Sequence, residues 1–178
     1  MENVSRRRRL KPVCDAEAHI KSRTDKPYLE QRLINKFKGR GVFTKQVIWK
    51  GDFVLEYHGK LLTQEQGDVR GKQYKESSKV FLFDFQWRGQ MCCMDAPEED
   101  GSLGRLVNDD HKKPNCKFKI IAVNNHPHLC LFAIADILPG QELTYNYGTS
   151  DWPWRTQVKR CFPPNMQQSM DMFFITNI

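Results

Sequence analysis

From Phe37 to Gly148 this 178-residue chain is written in short apolar runs, each stopped by glycine, asparagine or proline. That texture constrains the fold more than any other feature. Runs of roughly five or six residues suit strands, whereas core helices need about ten or more. Phe53-Val54-Leu55-Glu56-Tyr57 reads as a strand closed by His58-Gly59, and Lys38-Gly39-Arg40-Gly41-Val42-Phe43 joins a turn to a strand. Val80 to Phe85 and Met91 to Met94 predict a hairpin turning around Arg88-Gly89. Ile120 to Val123 and His128 to Ile134 predict a second, turning at Asn124-Asn125. The expected fold class is mostly β, built of several small sheets.

Two stretches break the pattern. Residues Thr63 to Ser78 are polar and read as partly helical. Tyr28, Leu29, Arg32, Leu33 and Asn35-Lys36 suit a short helix with one apolar face. The expected organisation is a basic flank over 1–36, partly helical or flexible, one domain over 37–154, and a tail over 155–178 with no clear periodicity. The length accommodates one domain with a real core, not two.

Charge and cysteine usage narrow the partners and the compartment. Twenty-eight basic residues against 21 acidic leave a net charge of +7, which suits nucleic acid or chromatin. Ser5-Arg6-Arg7-Arg8-Arg9-Leu10-Lys11 is a solvated cationic run; its sharper reading is nuclear import or nonspecific contact with DNA phosphates. Six cysteines include no Cys-x-x-Cys pair and no matching histidine cluster, so no metal site is expected. Cys92-Cys93, in an apolar run, reads as buried thiols. No apolar signal segment opens the chain and no stretch of about 20 apolar residues occurs, so neither secretion nor a membrane partner is expected. Reduced thiols inside the cell fit best. Nothing in the sequence sets an oligomeric state.

Two segments carry chemistry together. One is Gly104-Arg105-Leu106-Val107-Asn108, running through Asp109-Asp110-His111 to Pro114-Asn115-Cys116. The other is Leu138-Pro139-Gly140-Gln141-Glu142-Leu143-Thr144-Tyr145-Asn146-Tyr147-Gly148. They resemble the paired signatures of SET-domain lysine methyltransferases, in which one segment threads through a loop made by the other as a pseudoknot near the C-terminus. The resemblance runs from about Lys38 to Trp154. With Gly51-Asp52-Phe53-Val54-Leu55-Glu56-Tyr57-His58-Gly59, it is nearest the subfamily that monomethylates a lysine on the tail of the fourth core histone within nucleosomes.

That resemblance implies a cofactor, S-adenosyl-L-methionine, and a set of roles. Lys38, Gly39, Arg40 and Gly41 form the cofactor loop, where glycine permits close backbone approach. Phe81, Asn108 and Asp109 complete the cofactor site. Tyr147 is the hydroxyl near the methyl group; Tyr145 and Tyr74 line the lysine channel, and a tyrosine at 145 implies a single methylation. A nuclear, chromatin-bound enzyme follows from the same likeness. Three departures bear on it. Asp109 stands for the family histidine and Asp110 for a serine, with His111 one step beyond and a shifted register open. Phe81 stands where relatives carry tyrosine. The alternative is a SET-fold protein of impaired catalysis that binds chromatin or histone tails; a purely nucleic-acid-binding protein is a third reading.

Overall fold

The computed structural model describes residues 10–36 and 38–148. The chain divides into two units, 1–146 and 147–178; of the second, only Tyr147 and Gly148 are among the described residues.

The first unit opens with helix α1 (Pro12–Ser22). A proline in its first turn presets the backbone, Asp15 stands near its positive end, and His19 and Lys21 occupy its last turn. Arg23, at φ 52°, caps it in the left-handed region by donating its N–H toward His19 and Ile20 carbonyls. Strands β1 (Leu29–Asn35) and β2 (Gly39–Thr44) form an antiparallel pair, Leu29 opposite Thr44. The helix expected over 28–36 is therefore a strand. Its apolar residues are too few to pack a helix: Leu33 is 74% exposed, and only Leu29 is buried. Pairing with β2 satisfies the backbone instead; Glu30 pairs with Arg32 on its own strand and with Lys45, just past the end of β2, across the hairpin. The hairpin spans the expected boundary at 36/37.

Strand β3 (Phe53–Tyr57) forms a sheet with β9 (His126–Ala133) and β8 (Cys116–Val123), in the order β3-β9-β8. A third sheet has the order β4 (Lys60–Thr63), β6 (Gln90–Asp95), β5 (Leu82–Trp87). Both expected hairpins are present. Each turn needs two residues at positive φ, supplied by Arg88 (50°) and Gly89 (80°) and by Asn124 (49°) and Asn125 (66°). Helix α2 (Gln64–Gln73) begins with a capping box: Thr63 Oγ1 accepts from the Gln66 N–H, and Gln66 Oε1 accepts from the Thr63 N–H. The short α3 (Glu76–Lys79) completes the partly helical stretch expected there.

Among the described residues the core includes two clusters built around the central sheets. Ala16 and Ile20 of α1 pack on Phe53, Ile121, Val123 and Phe132. Tyr57, Phe85, Met94 and Leu129 form the second, with Phe83 and Phe118 against it. Cys93 lies in the core, as read for the vicinal thiols, whereas Cys92 is half-buried. Asp84 is exposed, and burial, reinforced by its carboxylate, pushes the Cys93 thiol up to about 12.

The last sheet is two residues wide and decides the most. Strand β7 (Asn108–Asp109) pairs in parallel with β10 (Thr144–Tyr145), Asn108 opposite Thr144 and Asp109 opposite Tyr145. The Asn115 side chain splints the pair: Oδ1 accepts from the Thr144 N–H at 2.9 Å, and Nδ2 donates to the Glu142 carbonyl at 2.7 Å. The two signature segments thus lie side by side.

Candidate active site

The two ends of this parallel pair meet the loop at 38–41. Asn108 Nδ2 donates to the Arg40 carbonyl and to Glu142 Oε1, each at 2.9 Å. Lys38 Nζ donates to Glu142 Oε2 at 2.8 Å. Glu142 is thus the hub that holds an early loop to a late one across 104 residues of sequence. The glycines of the loop serve opposite ends. A Cβ on Gly41 would lie 2.6 Å from Ile34 Cδ1, 2.8 Å from Glu142 Oε1 and 2.9 Å from Asn108 Nδ2, so the junction is filled. Gly39, at φ +75°, has nothing within 4 Å of such a Cβ and presents open backbone.

Arg40 reaches outward from this junction. Its Nη1 donates to Gln31 Oε1 at 3.0 Å, and its Nη2 pairs with the Glu99 carboxylate. Glu99 also faces Arg105 Nη1 at 3.2 Å, and the Arg40 bond holds its carboxyl below the usual range. Arg105 donates to the carbonyls of Ala96 (3.1 Å) and Pro97 (2.8 Å). Its guanidinium lies 4.3 Å from the centre of the Phe81 ring. Phe81 is thus joined to the 38–41 loop through Arg105, Glu99 and Arg40. Its carbonyl accepts from the Tyr57 hydroxyl at 3.1 Å.

The two departures at 109 and 110 separate in space. The Asp109 side chain is only 3% exposed, with His111 Nδ1 4.0 Å from its carboxylate. Backbone pairing at Asn108 and Asp109 sets the register there, and His111 lies beyond it with its side chain 40% exposed. Asp110 serves the turn: its Oδ1 accepts from the Lys112 and Lys113 N–H groups at 3.0 and 2.9 Å.

The tyrosines occupy three places. Tyr145 is 4% exposed, edge-on to Phe118 at 4.7 Å and 6.4 Å from Phe83. Phe83 and Phe118 are 4.6 Å apart, and Tyr57 stands 5.8 Å from Phe118, so Tyr145 is one wall of an aromatic cluster. Tyr74, at the end of α2, donates its hydroxyl to both Asp95 oxygens, at 3.0 and 3.1 Å. Arg70 Nε lies 3.5 Å from the same carboxylate. Desolvation, then the Asp95 carboxylate, push the Tyr74 phenol above its usual value, which keeps it a hydrogen-bond donor. Tyr147, two residues after Tyr145 along the chain, belongs to the second unit.

The sequence reading named Lys38, Gly39, Arg40, Gly41 and Asn108, and the fold brings these together. It did not single out Glu142, Arg105, Glu99 or Asp95. The first two lay inside quoted motifs; the last two carry no local signal. Among the described residues no group of three or more His, Cys, Asp and Glu side chains is arranged to hold a metal. No described helix is long and apolar enough to cross a membrane.

A domain of small sheets, closed by a parallel pair that joins a glycine loop to an Asn–Glu lock beside buried aromatics, defines a class. The match to the SET domain covers residues 39–148, more than half of the sequence, and the chain belongs to that family. Among its relatives, the N-lysine methyltransferase KMT5A-B of Xenopus laevis is 42% identical over 113 residues, covering 62% of this chain and 33% of that protein. The histone-lysine N-methyltransferase set-1 of Caenorhabditis elegans is 33% identical over 150 residues, covering 81% of this chain and 62% of that one. The crystal structure of CpSET8 from Cryptosporidium superposes with a TM-score of 0.61 at 34% identity, covering 69% of this chain and 58% of that one. The matched region spans about a third of the first of these relatives.

Proposed function

We propose that this chain transfers one methyl group from S-adenosyl-L-methionine to a lysine of a histone tail, acting on chromatin in the nucleus. The observation that carries the reading is the junction of Lys38–Gly41, Asn108 and Glu142 beside the parallel pair that contains the buried Tyr145.

The residues present fit the cofactor. Gly39 leaves open backbone between two cations, Lys38 and Arg40. Asn108 spends its amide N–H groups on Arg40 and Glu142, which fixes the side chain at the edge of this open loop. Lys38, Gly39, Arg40, Phe81 and Asn108 would hold the group, and Asp109 would contribute through its backbone. When bound, it supplies an electrophilic methyl group on a sulfonium.

The chain's own side chains then prepare the amine. A lysine attacks only as the neutral amine, and a low-dielectric aromatic wall disfavours the ammonium. Tyr145, with Phe118 and Phe83 behind it, provides that wall. Tyr74 has its phenol oriented by Asp95, and Tyr147 would supply the hydroxyl near the methyl group. A tyrosine at 145 leaves little room for a methylated amine, hence a single transfer. The relatives named as histone-lysine methyltransferases support the histone as substrate. The nucleosome as its form, and DNA contact through Arg6–Arg9, rest on the charge of +7. That run lies outside the described residues.

Methyl transfer from labelled cofactor to nucleosomes and to free histones tests the reading. Incorporation of one methyl, cut roughly twofold to tenfold in Tyr147→Phe, is expected, the worth of one hydrogen bond at the reacting centre. No transfer to either substrate sinks it. The buried Asp109 carboxylate favours a second reading, a tail-binding SET domain of weak catalysis. Under that reading histone peptides bind while the cofactor does not, at millimolar concentration.

A further inference from the structure

Away from the junction, four side chains form an unbroken line. His128 Nδ1 stands 2.6 Å from Glu56 Oε1, Glu56 Oε2 stands 3.0 Å from His58 Nε2, and His58 Nδ1 stands 3.3 Å from Asp100 Oδ2. The first three are 12–26% exposed, and the line ends on the loop that precedes the 3-10 turn Gly104–Leu106. That loop is anchored at each step. Asp100 Oδ1 accepts from Ser102 N–H (2.9 Å) and Oγ–H (2.5 Å), and Asp25 Oδ2 accepts from the Leu103 N–H at 2.8 Å. Gly104 is seated so tightly that a Cβ would come within 2.3 Å of the Glu56 carbonyl oxygen. The residue beside Asp100 is Glu99, the partner of Arg40 and Arg105.

We infer that His58 is a positioning residue: as an imidazolium it clamps Asp100 to Glu56, and this clamp sets the loop so that Glu99 braces Arg40 at the cofactor loop. The inference rests on the methyl-transfer reading for its consequence, not for its geometry. Both ring nitrogens of His58 face carboxylates, and only the protonated ring carries an N–H on each. On deprotonation one of the two bonds is lost, and the weaker, longer one is that to Asp100. A cavity of about 510 Å³, lined by Arg23, Asp25, Lys26, His58 and residues 100–103, gives the freed loop room to move.

The charges around the ring agree in sign. Glu56, near the end of β3 just before His58, raises the His58 value most, and Asp100 adds to this against the cost of burial. Burial alone would raise Glu56, but bonds from His58 and His128 of β9 hold it below the usual range. Asp25, whose carboxyl burial pushes upward, faces His58 from the segment after α1. Arg23 and Lys26 lie on that same segment, Lys26 being tied to Asp15 at 2.5 Å.

The test uses the full chain and two readouts between pH 6 and 8.5. Calorimetric titration with S-adenosylmethionine should show Kd rising about threefold to tenfold as His58, followed by imidazole NMR, loses its proton. His58→Gln and Asp100→Asn should both flatten that profile at the weaker level. Glu99→Gln should flatten it while leaving the His58 titration in place. In the free protein, exchange protection of the Ser102 and Leu103 amides, corrected for intrinsic rates, should fall over the same interval in the wild type and not in His58→Gln. Protection that ignores the His58 titration, or a His58→Gln variant that keeps the wild-type slope, overturns the inference. A chain that binds no cofactor at any pH removes the methyl-transfer reading instead, and the exchange readout still judges the clamp.

Discussion

Single residues in this chain are chosen for what surrounds them. Gly39 and Gly41 are two apart, yet one has empty space beside it and the other has none. Gly104 is the extreme case, because the nearest atoms to its missing side chain are backbone and cannot swing aside. Gly104→Ala should therefore cost about 1–3 kcal/mol, read as a lower urea midpoint with an unchanged slope. The carboxylate–imidazole line has a stability signature of its own. His58 is raised when folded, so its contribution is complete below the unfolded value of 6.5 and is lost as pH rises through the raised folded value. Glu56 is lowered, so its contribution is present above 4.5 and is lost as pH falls through the folded value. Calorimetric Tm should thus fall on the alkaline side of 6.5 in the wild type, and His58→Gln should remove that fall.

At the level of elements, the shortest sheet depends most on side chains. A two-residue parallel pair has few backbone bonds of its own, and Asn115 supplies two more from its amide. Asn115→Ala should cost roughly 1–3 kcal/mol, at about 0.5–1.5 kcal/mol for each bond. Amide exchange at Thr144, whose N–H the Asn115 Oδ1 accepts, should quicken well before exchange in β8 or β9. The hairpins behave differently, since their turns are coded where they sit. Arg88-Gly89 and Asn124-Asn125 announce reversals because glycine and asparagine tolerate positive φ. The strand at 29–35 gave no such notice. Its spacing of Leu29, Arg32 and Leu33 suits a helix face, and only the neighbouring β2 makes it a strand.

For the whole molecule, the segment before the SET match is structural. The match begins at residue 39, yet Ala16 and Ile20 of α1 are 0% and 6% exposed against Phe53 and Phe132. Ile20→Ala should lower stability by about 2–5 kcal/mol in urea unfolding, as a cavity in the core does. Removal of residues 10–28 should expose the face of the β3-β9-β8 sheet and bring dye binding typical of apolar surface. These outcomes would mark the flank as part of the folding unit, where the sequence reads a basic prelude.

What was written locally could be read locally. Short apolar runs and turn residues determined a mostly β chain and its hairpins, and the resemblance of two signature segments to a known family implied that they meet in space. The lock between Glu142 and Lys38, the brace from Glu99 to Arg40 and the hydroxyl of Tyr74 on Asp95 were settled only by tertiary contact. A charged side chain carries no mark of its partner when that partner lies tens of residues away. Its role appears only once the backbone has folded, because Coulomb attraction and hydrogen bonding act over distance in space, not along the chain.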